Sequence, residues 1–411
     1  MNITSKIILS LLFFININAC NRSQSDDSPL NFNINPCDHF YEYVCSNTRE
    51  RYPFSNDKQG FIFADIFRLH VKNIKSELGV PEEIRSNFNK FKDQCLEAEN
   101  NNLNLCQGAA EARYLQNLYA KNINLFIPNF LDHEKKANEI FNRLKFNLIQ
   151  NVQKSDLIDE SIKNKAIAEM NESQLIIQQP KLQEEDANNE NIKIDYEVLN
   201  SLNDYFYNIA HEKDKKVFIG LSVVQLLNTS HSNKTNINSV SHIIAHELGH
   251  ILLNPFIGSP QWSYIFKSLR EEFNDLEESK NFLPNFFGLT YGEYTFSENF
   301  SDLVAMQLSY EDSLLAQNEM EENSKNSKIG TNNNEKEFFI SYAKNFCTTK
   351  RHAEMPLIVS YENKLIPADM HARAVYRVDL GVRRMPQFSE AFQCAAHNKL
   401  SFKPVFDLKI W

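Results

Sequence analysis

The chain has 411 residues, 42% of them hydrophobic, enough to bury one large core or two smaller ones and too many for global disorder. Only 10 residues are glycine, and runs rich in Leu, Ile, Glu, Lys and Asn recur, so the balance leans to helix. A net charge of -10, with no cysteine pair at finger-like spacing, excludes a nucleic-acid binder that works by neutralising phosphates.

In chain order, Lys6 precedes an apolar run from Ile7 to Ile17 that ends at Asn18, Ala19 and Cys20. About eleven apolar residues are too few to span a bilayer, so residues 1–19 read as a secretory signal. An uncleaved short anchor is the alternative and would be the only route to membrane association; a lipoprotein signal fits Asn18 poorly. If Cys20 goes with the signal, six cysteines remain: Cys37, Cys45, Cys95, Cys106, Cys347 and Cys394. An even count in an exported chain predicts up to three disulfides.

Residues 20–35 are polar and read as a flexible lead-in. From Pro36 to about Leu78 the pattern is aromatic and helical, and from Pro81 to about Gln179 mostly helical with Asn-rich joints. Residues 180–194 read as a loop. Lys216 to Leu227, with Val217, Phe218, Ile219, Val223 and Val224, is the best strand candidate. The polar stretch from Glu319 to Glu337 is expected to be an exposed loop between helices. Sequons stand at Asn171, Asn228 and Asn233, and at Asn299, where no glycan is expected.

The chemistry gathers in Ser241-His-Ile-Ile-Ala-His-Glu-Leu-Gly-His-Ile-Leu252. Ser239 or Ser241 would cap a helix whose Ile243, Ile244, Leu248, Ile251 and Leu252 face a core. His246 and His250 are four apart, one turn above the other, and can aim imidazole nitrogens at one ion. Glu247 lies beside them and can reach a water at that ion without being a ligand, which is the logic of H-E-x-x-H. A catalytic zinc takes a third protein ligand, and no histidine follows at the short metzincin spacing, so a glutamate on a second helix is expected.

Ser297-Glu-Asn-Phe-Ser-Asp-Leu-Val-Ala-Met-Gln-Leu308 supplies one. Glu298 and Asp302 are an i,i+4 pair: Glu298 can bind zinc, and Asp302 can accept the second imidazole N–H of a ligating histidine. Glu293 and Glu311 are the nearby alternatives. Further on, His371 can stabilise an oxyanion, and Arg377 can hold a peptide carbonyl or carboxylate, with Arg373 the competing arginine.

These residues resemble the neprilysin and endothelin-converting enzyme family of zinc metallopeptidases, peptidase family M13. Pro36-Cys-Asp-His-Phe-Tyr-Glu-Tyr-Val-Cys45 is similar to the family's opening motif, and Phe388-Ser-Glu-Ala-Phe-Gln-Cys394 with Trp411 to its closing block. Between them the HELGH stretch, the Glu298–Asp302 block and His371 to Arg377 follow in the family's order. The resemblance implies a mainly α fold with a small β-sheet: a zincin, thermolysin-like catalytic lobe at 201–411, a reduced helical lobe at 81–200, and an N-terminal segment, 36–80, packed on the catalytic lobe. It assigns His246, His250 and Glu298 to one Zn2+ per chain, Glu247 to the general base, Asp302 to orienting a ligand, His371 to the transition state and Arg377 to the substrate backbone. It also implies disulfides Cys37–Cys394 and Cys45–Cys347.

The departures concern the substrate side. Most of the lobe that covers the family's cavity is missing, which suggests a more open cleft. The family's Asn-Ala-x-Tyr motif has Asp204-Tyr-Phe-Tyr207 as its nearest match, so Asp204 loses an amide donor for a peptide carbonyl. Gly249 replaces the usual threonine of H-E-x-T-H, and Ser301 replaces an alanine. The expected function is a secreted zinc endopeptidase or oligopeptidase acting on extracellular peptides; the alternative is an inactive or weakly active paralogue that binds peptides or a protein.

Overall fold

The computed structural model describes residues 30–51, 123, 127, 129–179, 210–227, 233–276, 289–323, 331–348, 358–361, 364–367, 370–403 and 411. The signal segment, Cys95, Cys106, Asp204 and Asn228 lie outside the described residues.

Helix α1 (Phe40–Arg51) is followed by α2 (Phe130–Lys154) and α3 (Glu160–Glu172). Ala137, Ile140, Phe141, Leu144, Leu148 and Val152 recur at three- and four-residue spacing along α2 and are all buried, so one stripe of this helix faces the core. Strand β1 (Gln174–Ile177) pairs in parallel with β3 (Lys216–Ile219), which pairs antiparallel with β2 (Ala210–Lys213), giving the order β1-β3-β2. The β2–β3 turn places Asp214 and Lys215 at φ 52° and 62°, the left-handed pair of a tight hairpin whose twist matches its strands.

The strand expected over Lys216 to Leu227 stops at Ile219. Gly220 is the N-cap of a short helix, α4 (Leu221–Leu226), so the β-branched Val223 and Val224 are buried on a helix instead. Core packing overrides their strand propensity.

Two long helices form the centre. Helix α5 (Asn233–Phe256) carries the HELGH stretch and starts two turns earlier than either expected cap. Ser239 and Ser241 are therefore interior, and the Ser241 hydroxyl donates to Asp312 at 2.8 Å. Helix α6 (Ser263–Asn274) precedes the one-turn α7 (Tyr291–Tyr294), which leads into α8 (Phe296–Asn323). Helix α9 (Thr331–Lys344) follows, so much of the polar stretch 319–337 is helical rather than a loop: its Glu, Asn and Lys residues extend two helices whose apolar residues, such as Phe338 and Phe339, are buried. Strands β4 (Ile358–Tyr361) and β5 (Lys364–Pro367) form a hairpin before α10 (Ala374–Val382) and α11 (Pro386–Phe392).

One core unites α2, α3 and the sheet with α5, α6 and α8, so residues 129–177 pack into the same core as the helix that carries the HELGH stretch. A second, largely aromatic core joins α1 to α9, α10 and α11 through Phe40, Tyr43, Phe338, Phe339, Tyr342, Val378 and Phe388. Disulfides Cys37–Cys394 and Cys45–Cys347 staple it, in the expected pairing. Among the described residues no helix is long and apolar enough to cross a membrane.

Candidate metal centre

The site forms where α5 crosses α8. Gly249 makes the crossing close: a Cβ there would come within 2.8 Å of the Ser301 Cα, so the backbones meet without a side chain between them. The approach brings Glu298 Oε2 to 3.1 Å from His246 Nε2 and 3.3 Å from His250 Nε2, and the two Nε2 atoms stand 3.1 Å apart.

The outer nitrogens of both rings are engaged. His246 Nδ1 lies 2.9 Å from Asp302 Oδ1, and His250 Nδ1 lies 3.1 Å from Ser297 Oγ. A proton on each Nδ1 leaves both Nε2 lone pairs facing each other beside a carboxylate. That arrangement is repulsive without a cation and suited to one with it. Ligands of a single tetrahedral zinc lie about 3.3 Å apart, so the three atoms fit one Zn2+.

His371, just before α10, also points here, with Nε2 2.9 Å from Glu298 Oε2. Two triads thus share His246 and Glu298, because His371 with these two also forms a group within 4.8 Å. His250 is fixed on the same helix as His246, its Nε2 3.1 Å from His246 Nε2 and 3.3 Å from Glu298 Oε2, whereas the His371 side chain is 39% exposed at the rim.

Charge is strongly organised around the rings. Burial opposes the charge of Glu298, but His246, His250 and His371 outweigh it and hold the carboxyl well below the usual range. Asp302 is likewise held low against its burial by the Arg377 guanidinium and His246. Burial also works against a proton on His246, yet the Asp302 and Glu298 carboxylates win and push its pKa up to about 10. Glu247 is buried, which raises its carboxyl above the ordinary value.

Arg377 grips Asp302 with a two-pronged contact, Nε to Oδ2 and Nη2 to Oδ1, both 2.7 Å. The alternatives for the third ligand are used elsewhere. Glu293 closes a capping box with Thr290, and Glu311 accepts from Asn151 at 2.7 Å and from the Trp411 indole at 3.3 Å. Asn299 is buried, donates to Thr295 Oγ1 at 2.8 Å and has no room for a glycan, while Asn171 is exposed.

Several site residues lacked a recognised sequence signal. Ser297 could have been found as the hydroxyl adjoining the ligand glutamate. His242, one turn before His246, and Tyr342 and Phe346 reach the site's surroundings only through tertiary packing.

Residues 262–408 match the model of peptidase family M13. No curated protein matches the chain in sequence. The fold is similar to PEPO from Lactobacillus rhamnosis HN001, with a TM-score of 0.51 and 14% identity over 74% of this chain and 51% of that one. It is also similar to the Mycobacterium tuberculosis zinc metalloprotease ZMP1. The inhibitor complex gives a TM-score of 0.54 and 16% identity over 73% of this chain and 49% of that one; the open state gives 0.51 and 14% over 85% and 55%. The chain spans about half the length of these structures. Its fold, mainly α with a small mixed sheet, is similar to those of these structures and carries a His-His-Glu site that fits a single Zn2+.

Proposed function

We propose that the protein is a zinc-dependent endopeptidase or oligopeptidase of the neprilysin and endothelin-converting enzyme type, acting on extracellular peptides. The observation that carries this reading is the convergence of His246 Nε2, His250 Nε2 and Glu298 Oε2, with the Glu247 carboxyl buried beside them. His246, His250 and Glu298 would hold the ion. When bound, zinc supplies Lewis-acid polarisation of the peptide carbonyl and makes a water easier to deprotonate.

The remaining work falls to the chain. Glu247, its basicity raised by burial, takes the proton from the attacking water and returns it to the leaving amine. Asp302 keeps the His246 proton on Nδ1. His371, at the exposed rim, turns from Glu298 to donate to the developing oxyanion. Arg377 spends two of its five N–H donors on Asp302 and offers the others to a substrate carbonyl. Asp204 is assigned to the peptide backbone, where as a carboxylate it accepts rather than donates. Two disulfides support export by the N-terminal signal, with glycosylation at the sequons.

Digestion of a mixed peptide library tests the reading. Cleavage should stop on removal of zinc by a chelator and return on its replacement. Intact peptides throughout, with zinc bound, would favour the binding paralogue. Cleavage of short peptides but not of unfolded proteins would count against an open cleft.

A further inference from the structure

The Arg377 guanidinium that grips Asp302 is itself held from behind. Its carbon lies 4.7 Å from the centroid of the Phe346 ring, a cation–π distance. Tyr342, one turn earlier on α9, donates its hydroxyl to the Arg377 carbonyl at 2.6 Å. The His242 ring packs edge-on against both aromatics, at 4.7 Å from Tyr342 and 5.8 Å from Phe346. The contacts therefore run from Phe346 to Arg377, from Arg377 to Asp302 and from Asp302 to the Nδ1 of His246.

Helix α1 fixes Phe346 in turn. Cys347, the next residue, is bridged to Cys45. The Tyr41 hydroxyl donates to the Phe346 carbonyl at 3.4 Å and accepts from the Thr348 N–H at 3.2 Å. The Tyr41 N–H donates to Asp379 on α10 at 2.8 Å. A single N-terminal helix thus ties together the two segments that meet at Arg377.

We propose that Phe346 is a positioning residue for the metal centre, held in place by α1 through the Cys45–Cys347 bridge, so that zinc affinity depends on this distant disulfide. The inference rests on the zinc reading above. Phe346 acts through Arg377 and Asp302, not on substrate. Loss of its π face frees the guanidinium to turn, loosens the fork on Asp302 and lets the His246 ring leave its ligand orientation.

Chelator competition on the full, disulfide-bonded chain measures the effect. Phe346→Leu should weaken zinc binding roughly three- to thirtyfold, while Phe346→Tyr, which keeps the π face, stays within about twofold. Cys45→Ser with Cys347→Ser should weaken it similarly and add little to Phe346→Leu. If Phe346→Leu does not fold, Phe346→Met carries the same comparison. A folded Phe346→Leu or Phe346→Met variant with wild-type affinity, or Phe346→Tyr as weak as Leu, would overturn the proposal while leaving the zinc site intact. A wild-type chain that binds no zinc would overturn both. If Phe346 only filled space, its loss would lower the unfolding temperature of the zinc-free protein without changing affinity.

Discussion

Gly249 and Ser301 touch backbone to backbone where the two metal-site helices cross, and a Cβ on Gly249 would sit 2.8 Å from the Ser301 Cα. The threonine expected at this place in H-E-x-T-H would not fit over the backbone of α8. Gly249→Thr should therefore destabilise the protein by about 1–3 kcal/mol and also weaken zinc, because parting the helices separates Glu298 from both histidines. Denaturant unfolding and zinc titration of the same variant check both effects. Unchanged stability would contradict so close a crossing.

Asp302 is the point where a carboxylate meets both Arg377 and His246. Asp302→Asn removes the charge that holds His246 in its tautomer and leaves the Arg377 guanidinium buried against an amide. Zinc affinity should fall about 10- to 100-fold. Isothermal titration or chelator competition measures it, and a loss under twofold would remove Asp302 from the ligand-orienting role.

The pH dependence of the zinc-free protein follows from the signs of the shifts. Glu298 and Asp302 are held below their ordinary values of 4.5 and 3.8, so the stability they add is complete above about pH 4.5 and lost on acidification. His246 is raised from 6.5 to about 10, so its contribution is complete below pH 6.5 and lost as pH climbs through 10. Asp379 is pushed from 3.8 up to about 7 by burial, against the amides it accepts from, so its contribution falls as pH rises from about 4 to 7. Burial lowers His242 from 6.5 to about 3, and its contribution falls as pH drops over nearly the same range, so these two oppose each other. The zinc-free protein should be most stable between about pH 4.5 and 6.5. Zinc requires neutral imidazoles, so loading should move the optimum upward. Thermal unfolding across pH, with chelator and with zinc, gives the comparison; a zinc-free optimum at pH 8 or above would contradict it.

The disulfides close loops of 357 and 302 residues. Chain entropy puts the stabilisation from closing a loop this long at about 5–6 kcal/mol, and the two bridges overlap too far to add fully. Reduction should lower the unfolding temperature sharply, and the aromatic core that joins α1 to α9, α10 and α11 should be the first part to lose protection in hydrogen exchange.

Much of the site was legible because it is local. His246, Glu247 and His250 lie on one helix, and Glu298 and Asp302 on another, so i,i+4 spacing already grouped them. The disulfide pairing came from resemblance, since spacing alone leaves the connectivity open. What sequence could not supply was tertiary. Gly220 ends a strand that β-branched residues seemed to continue, and β1 joins the sheet through pairing with residues some forty positions away. Arg377 stands 75 residues beyond Asp302, and only the packed structure places its fork on Asp302 and its carbon over Phe346. No local pattern marks Phe346, because its contact with Arg377 exists only once α9 and α10 are assembled.

Peptide hydrolysis by this protein is expected to need both one zinc and the Glu247 carboxylate. The decisive measurement compares zinc content and peptide cleavage in the wild-type protein and in Glu247→Gln. One zinc per chain is expected in both, with cleavage reduced at least about a hundredfold in the variant. Equal cleavage by the two proteins, or zinc-loaded wild type that cleaves nothing, would contradict it.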